Sequence, residues 1–305
     1  MIEEIDYEKM ELKSTENLRL GAPLVSVIMT SYNREKYIAE AIESVLASTY
    51  TNFELIIADD CSTDKTIEIA KVFTKNDKRI KLFVNQQNLG QFENRNKAAG
   101  YACGELQMWA DSDDTLKPDA ILYIVEQFEK YPGAKFSLIY GLDDINAATC
   151  LSSEEIVRRH FYGNATLHVG PGGTVIRRDL FKRIGGYPTA YGAAGDTYFN
   201  IVAASNTEVL LLPYIYFNYR IHGNQELNNK YAYLYNGYRY FEDIMLLPEL
   251  PLTEIERVQL LRKNKKRFFI NTLKYFRTTG EFKKTLKAYK IAGVSLKELW
   301  VAIFS

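Results

Sequence analysis

The sequence predicts an α/β fold: a mainly parallel central sheet flanked by helices, Rossmann-like, with a helical appendage at the C-terminal end. Three observations predict it. Short apolar, β-branched runs alternate with segments of helical periodicity from residue 24 to about residue 140. The runs end in unusual polar clusters, at the carboxyl ends of strands where ligands of parallel sheets bind. Residues 225–305 contain no run that reads as a strand.

The elements follow in order. Residues 24–30 are a buried strand by composition, and residues 35–47 place Tyr37, Ile38, Ala41, Ile42, Val45 and Leu46 on one helical face. A second strand is expected over 53–58, then a helix through Ile67, Ala70 and Phe73. Residues 79–84, 91–103, 106–110 and 118–131 read as strand, helix, strand and helix, and 136–140 as a fifth strand. Right-handed crossovers between such units give a parallel sheet. Past residue 141 the alternation loosens, and seven glycines between Gly170 and Gly195 suggest a mobile lid or acceptor loop. The expected organisation is an N-terminal extension over 1–22, a main domain over 23–222 that divides at residue 118, and a helical region over 223–305.

Composition narrows the class. Hydrophobic residues at 47% and charged residues at 25% are the balance of a globular chain rather than a disordered one. Net charge is zero, yet residues 257–290 hold twelve Lys or Arg against one acid, Glu281. That surplus, interleaved with aromatic residues, admits two accounts: an amphipathic face lying on anionic lipid, or a helical bundle packed on the main domain with a solvated basic face; no recognised nucleic-acid motif accompanies it, so no nucleic acid is expected. Cys61, Cys103 and Cys150 form no CxxC pattern and read as free thiols of a reducing compartment. Residues 1–20 lack a signal-peptide core and no apolar run is long enough to span a bilayer. The expectation is a cytoplasmic protein, peripheral on the inner face of the membrane through 257–290.

Two acidic clusters carry chemistry. Asp59-Asp60-Cys61-Ser62-Thr63-Asp64 follows the second strand. Its plain reading is a strand end with helix-capping residues; its sharper one is a carboxylate accepting the imide N–H of a uracil or thymine. Asp111-Ser112-Asp113-Asp114 leaves a buried strand with three carboxylates in four residues, which repel unless a cation or solvent separates them. An EF-hand does not fit, because Thr115 and Leu122 stand at its fifth and twelfth positions. Mg²⁺ or Mn²⁺ held by one or two carboxylates plus a diphosphate fits better.

Taken in order, Val25-Ser26-Val27-Ile28-Met29-Thr30-Ser31-Tyr32-Asn33-Arg34, the 59–64 cluster, Asn88-Leu89-Gly90 with Arg95-Asn96, and the 111–114 cluster with Pro118 resemble the donor half of an inverting family 2 glycosyltransferase of GT-A fold. The resemblance covers roughly residues 23–222, with 23–118 as the nucleotide-sugar half and 119–222 as the acceptor half. It implies that Asp60 holds the base, that Thr30 and Tyr32 line the nucleoside pocket, that Asp111 faces the ribose and that Asp113 binds Mn²⁺ or Mg²⁺. Arg95 is a further donor-site candidate, with a solvated helix charge as the open alternative. Gly172-Gly173-Thr174-Val175-Ile176-Arg177-Arg178 resembles the glycine-containing strand beside the donor sugar, which marks Gly173. Gly185-Gly186-Tyr187-Pro188 followed by Gly195-Asp196 resembles the segment ending in Glu-Asp, whose Asp is the catalytic base; here Gly195 replaces the Glu and Asp196 remains. Tyr219-Arg220-Ile221-His222 resembles a late Arg-x-His element whose His completes the metal shell. His160 and His168 have no matching context.

The implied activity is transfer of a sugar from a nucleotide-diphosphate sugar, a UDP-sugar above all, to an acceptor hydroxyl of a glycan or lipid-linked oligosaccharide, as in surface polysaccharide synthesis. A degenerate transferase serving as a glycan- or nucleotide-binding module is the alternative that Gly195 motivates. A sugar nucleotidyltransferase would need a glycine-rich phosphate loop where this chain has Thr30-Ser31-Tyr32-Asn33. GxGxxG and GxxxxGK[ST] are both absent.

Overall fold

The computed structural model describes residues 21–141, 145–220 and 230–294. Eight strands form one sheet: β1 (Val25–Ser31), β2 (Phe53–Asp59), β3 (Ile80–Val84), β4 (Leu106–Trp109), β6 (Ala134–Ile139), β7 (Thr149–Leu151), β8 (Thr174–Arg177) and β9 (Glu208–Leu212), in the order β3-β2-β1-β4-β8-β6-β9-β7. A two-stranded ladder pairs β5 (Thr115–Leu116) with β10 (Phe217–Asn218). The helices are α1 (Ile38–Leu46), α2 (Thr66–Asn76), α3 (Gln91–Tyr101), α4 (Ala120–Lys130), α5 (Ser153–Tyr162), α6 (Arg178–Ile184), α7 (Gly195–Ser205), α8 (Lys230–Ile244), α9 (Glu254–Thr279) and α10 (Phe282–Ala292).

The first half of the sheet is parallel as expected. Ser31 pairs with Asp59 and Asp59 with Val84, so the tips of β1, β2 and β3 share one edge. β4 joins β1 with Ile28 opposite Trp109. Successive side chains of these strands point to opposite faces. Val25, Val27 and Met29 enter a core under α1 and α4, while Ile28 and Trp109 enter a second core among α3, α6 and α7. Both faces are covered, which is why the strands read as continuous apolar runs.

The loosened pattern after residue 141 has a structural cause. β8 runs antiparallel to β4 and β6, and β7 antiparallel to β9, while β6 and β9 keep the common direction. The reversal of β8 lets Gly170–Gly173, which precede it, arrive at the carboxyl edge of β4. The stretch expected to be a lid or loop therefore holds a short 3₁₀ turn, Pro171–Gly173, then β8 and α6. The appendage is helical, as expected. Its Tyr240, Phe241, Ile244 and Leu260 belong to the same core as Phe199 of α7. α9 opens with a capping box, Thr253 with Glu256, and closes at Gly280 with φ of 69°. The extension over 1–20 lies outside the described residues.

Candidate active site

The polar edge of the sheet borders a cleft of about 810 Å³, lined by Thr30, Tyr32, Arg34, Asp60, Arg95, Asp111, Asp113, Asp114, His168, Gly172, Gly173, Asp196, Thr197 and Tyr219 among others. Eight of the sequence-derived candidates thus meet in one place. The ninth, His222, falls outside the described residues.

The β1 and β2 tips are tied together by side chains. Asp59 is fully buried and accepts from the Ser31 hydroxyl at 2.8 Å and from the Ser62 N–H and hydroxyl at 2.7 and 2.6 Å. Burial opposes the charge of Asp64, but the Thr66 hydroxyl and the N–H groups of Thr66 at 3.0 Å and Glu35 at 3.1 Å donate to it and hold its carboxyl below the usual range. Asn33, at φ 54°, accepts from the Thr63 N–H at 2.9 Å. For Asp59 and Asp64 the plain reading of their cluster, strand end and helix start, is what these bonds describe.

Asp60 is different. Its Oδ1 accepts from the Leu89 N–H at 2.8 Å and the Asn85 amide at 2.9 Å, and its Oδ2 from the Gly90 N–H at 2.9 Å. One carboxylate thereby fixes the Asn88-Leu89-Gly90 turn, whose Gly90 sits at φ 86° where a side chain would be strained. Asp60 and the turn form one unit at the cleft wall.

Arg95 is buried, so the solvated alternative falls. Its Nη2 pairs with Asp111 and its guanidinium lies 5.5 Å from the Trp109 ring centre. Burial opposes its charge, but Asp111 holds its pKa above the ordinary value. Among the described residues, Nε and Nη1 are buried without a hydrogen-bond partner. Buried charged donors left open are costly, and a ligand in the cleft is the natural acceptor for them. Asp111 also approaches Gly172 closely: a Cβ there would lie 3.3 Å from its Oδ2. Gly173 has even less room, with a Cβ falling 2.6 Å from Val169 Cγ1.

Asp113 pairs with Arg34 Nε at 3.0 Å. Asp114 accepts from the Arg220 N–H at 2.9 Å, and burial, together with Asp111 and Asp113, pushes its carboxyl up to about 7. Burial, more than its charged neighbours, disfavours the ionised form of Asp114. Among the described residues no group of three or more His, Cys, Asp or Glu side chains converges as a closed metal cage. Asp111 and Asp113 suit a divalent ion that takes few protein ligands and fills its shell with phosphate oxygens and water.

Across the cleft, Asp196 stands in the first turn of α7. Burial pushes its carboxyl up to about 6, opposed by the N–H and hydroxyl of Thr197 and by Arg95. The preceding Gly195 has no space for a side chain: a Cβ would lie 2.7 Å from Phe92 Cε2 and 3.0 Å from the Pro188 carbonyl. The Phe92 ring, stacked on Tyr187 at 5.2 Å, fills the volume that a residue at 195 would use.

Two further residues of the cleft had no role in the sequence reading. His168, passed over for want of a motif, opens onto the cleft with Nδ1 3.0 Å from the Thr197 hydroxyl, which also lies 3.3 Å from Asp196 Oδ1. Its ring stands 4.9 Å from that of buried His160, whose Nδ1 accepts from the Leu167 N–H at 3.1 Å. Burial, then His168, pushes His160 down to about 3. The only signal for His168 was its position just before the Gly170–Gly173 turn. Arg34 stood in the quoted first motif without a role.

The profile of glycosyl transferase family 2 matches residues 26–185. The chain belongs to that family. A relative from Escherichia coli, named as a UDP-Glc:alpha-D-GlcNAc-diphosphoundecaprenol beta-1,3-glucosyltransferase, WfgD, is 47% identical over 91 residues, 30% of this chain and 35% of that one. The chain spans about a third to two fifths of the length of the first curated relatives it matches. The structure of S. aureus TarS 1–349 in complex with UDP-GlcNAc superposes with a TM-score of 0.64 at 23% identity, covering 91% of this chain and 78% of that one. The mannosyltransferase PcManGT from Pyrobaculum calidifontis, in complex with GDP-Man and Mn²⁺, does so with 0.61 at 16% identity, covering 92% and 79%. These likenesses establish the GT-A fold.

Proposed function

We propose that the chain is an inverting glycosyltransferase that moves a sugar from a UDP-sugar to an acceptor hydroxyl in surface polysaccharide or glycoconjugate synthesis, with Asp196 as general base. One observation carries the reading: a carboxyl pushed up to about 6 lines the same cleft as Asp60, Asp111 and Asp113. A base of that pKa is ionised at neutral pH yet more basic than an ordinary carboxylate.

In this reading Asp60 and its turn, with Thr30 and Tyr32, receive the nucleoside, and Asp111 faces the ribose. Gly172 and Gly173 keep the wall beside the donor sugar free of side chains. The open N–H groups of Arg95 donate to oxygens of the donor. Asp196 takes the proton of the acceptor hydroxyl as that oxygen bonds to the anomeric carbon and the bond to the nucleoside diphosphate breaks. A single displacement inverts the configuration. Asp113, with His222 as a further ligand, would hold Mn²⁺ or Mg²⁺, which would supply Lewis-acid stabilisation to the departing diphosphate. The complex of the Pyrobaculum neighbour supports that choice of ion. The acceptor named for the Escherichia coli relative supports a lipid-linked acceptor.

Gly195 favours one competitor, a binding module that has lost turnover. The test is nucleoside diphosphate release from a panel of sugar nucleotides with Mn²⁺, Mg²⁺ or EDTA. The expected result is metal-dependent turnover of one donor, lost with Asp113→Asn and reduced roughly 10²–10⁴-fold by Asp196→Asn with donor binding intact. Full turnover by Asp196→Asn would remove the assignment of the base, and donor binding without turnover by the unaltered protein would favour the module.

A further inference from the structure

The basic surplus of residues 257–290 divides once its contacts are known. Arg257 is consumed internally, donating to the carbonyls of Met245, Leu247, Leu250 and Leu252 and so holding the turn between α8 and α9. Arg267 lies over the Phe241 ring, Lys263 over Tyr162, and Lys284 pairs with Glu281. Lys266, Arg277, Lys283 and Lys287 are exposed and make no ion pair among the described residues.

These four share their surface with apolar side chains. α9 buries a stripe at four-residue spacing, Leu260, Asn264, Phe268 and Thr272. On its opposite face Lys266, Ile270, Leu273 and Arg277 follow one another at spacings of three and four, which puts them in one row. Ile270 is 52% exposed, against 2% for Phe268. Phe276, three residues after Leu273 and on the flank of the row, meets Phe282 of α10 edge to face at 5.8 Å and so joins the row to α10 across the Gly280 turn. Phe282 is 58% exposed and Leu286, one turn further, 49%. Scattered exposed apolar residues need no explanation, but a joined row does.

We infer that the α9–α10 face is a docking surface for an anionic lipid bilayer. Charge selects this occupant: Lys and Arg alternate with aliphatic and aromatic side chains, the combination that seats in a headgroup layer with the cations reaching phosphates. A second copy of the chain would oppose these cations with themselves. Nucleic acid would use the charges and leave Ile270, Leu273, Phe282 and Leu286 in water. Among the described residues no helix is long and apolar enough to cross a membrane, so this contact would be peripheral. The face lies outside the cleft residues, and the inference stands independently of the proposed reaction.

The test is co-sedimentation of the full chain with phosphatidylglycerol–phosphatidylcholine vesicles and with pure phosphatidylcholine vesicles, at low and high salt, alongside light scattering for mass. Binding is expected to the anionic vesicles alone and to weaken with salt. Phe282→Ser with Leu286→Ser should reduce partitioning roughly tenfold or more. Lys283→Glu with Lys287→Glu, a surface change that leaves folding intact, should reduce it by about fivefold or more for each charge. Equal binding to both vesicles, no binding to either, or a dimer that dissociates in the Phe282→Ser, Leu286→Ser variant would each overturn the inference. So would displacement by single-stranded RNA with the apolar variant binding vesicles as well as the unaltered chain.

Discussion

On the β1–β2 side of the cleft, Asp60 accepts three hydrogen bonds from residues 25 to 30 positions away, and Asp59 and Asp64 likewise bind loops or helix starts. On the α7 side, Asp196 is held by its own neighbour Thr197 and its carboxyl is pushed up to about 6. The first set spends most of its acceptor capacity on the scaffold. The second is confined by burial and keeps basicity in reserve. Similar residues therefore differ in what their loss does: removing a scaffold carboxylate strands donors, while neutralising a confined one relieves the fold.

The largest expected effect is at Asp60. Asp60→Ala leaves the N–H groups of Leu89 and Gly90 and the Asn85 amide short of an acceptor, a loss of about 2–5 kcal/mol. Urea unfolding measures it, and the donor turn should loosen as well. A variant within about 0.5 kcal/mol of the unaltered protein would erase the contrast with Asp196.

Next is Gly195. Gly195→Ala drives a Cβ into Phe92 and towards the Pro188 carbonyl, costing about 1–3 kcal/mol. In a Phe92→Leu background the same change should cost less, and a double-mutant cycle would read the difference. Equal costs in both backgrounds would mean that the Pro188 carbonyl alone excludes the side chain.

Asp196→Asn should act in the opposite direction to Asp60→Ala. The folded carboxyl keeps its proton to about pH 6, the unfolded one to its ordinary 3.8. Ionisation therefore costs the folded state stability as pH rises through that window, and an amide escapes the cost. The variant should match the unaltered protein near pH 4 and exceed it by on the order of 1–3 kcal/mol at pH 8. Thermal unfolding across pH decides, and a variant less stable at pH 8 would mean that Asp196 belongs with the scaffold set.

How much of this was legible before the coordinates depends on the kind of contact. β1 to β4 and their helices follow from local periodicity, and the cleft gathers Thr30, Tyr32, Asp60, Arg95, Asp111, Asp113, Gly173 and Asp196, as an ordered motif set would require. The reversal of β8 was illegible, because strand direction is decided by pairing partners far away in sequence. Burial of Arg95 was hidden too. α3 buries Asn94 and Arg95 together with Phe92, Ala98 and Ala99, so apolar periodicity cannot reveal its inner face. The exclusion of a side chain at 195 needs Phe92, about a hundred positions earlier, and no local pattern reports it.

The smallest effect concerns His168 and sharpens the picture of how Asp196 is held. The Thr197 hydroxyl has one hydrogen and two nearby acceptors, Asp196 at 3.3 Å and His168 Nδ1 at 3.0 Å. Protein packed around His168 holds its pKa below the ordinary value, so above pH 7 the ring is neutral and can accept. In that state the two acceptors compete for the hydrogen, and the shorter contact to His168 weakens the share that Asp196 receives beside the Thr197 N–H. His168→Ala would then free the hydroxyl for Asp196, stabilise its charged form and lower its pKa. The acid limb of the kcat/KM profile should move to lower pH than in the unaltered protein, and the plateau should fall a few-fold, about threefold, as a weaker base takes the proton. Donor binding should not change. Movement of the limb to higher pH would show that His168 is the donor and that Thr197 already gives its hydrogen to Asp196. An unmoved limb would mean that the hydroxyl contributes nothing to the basicity of Asp196.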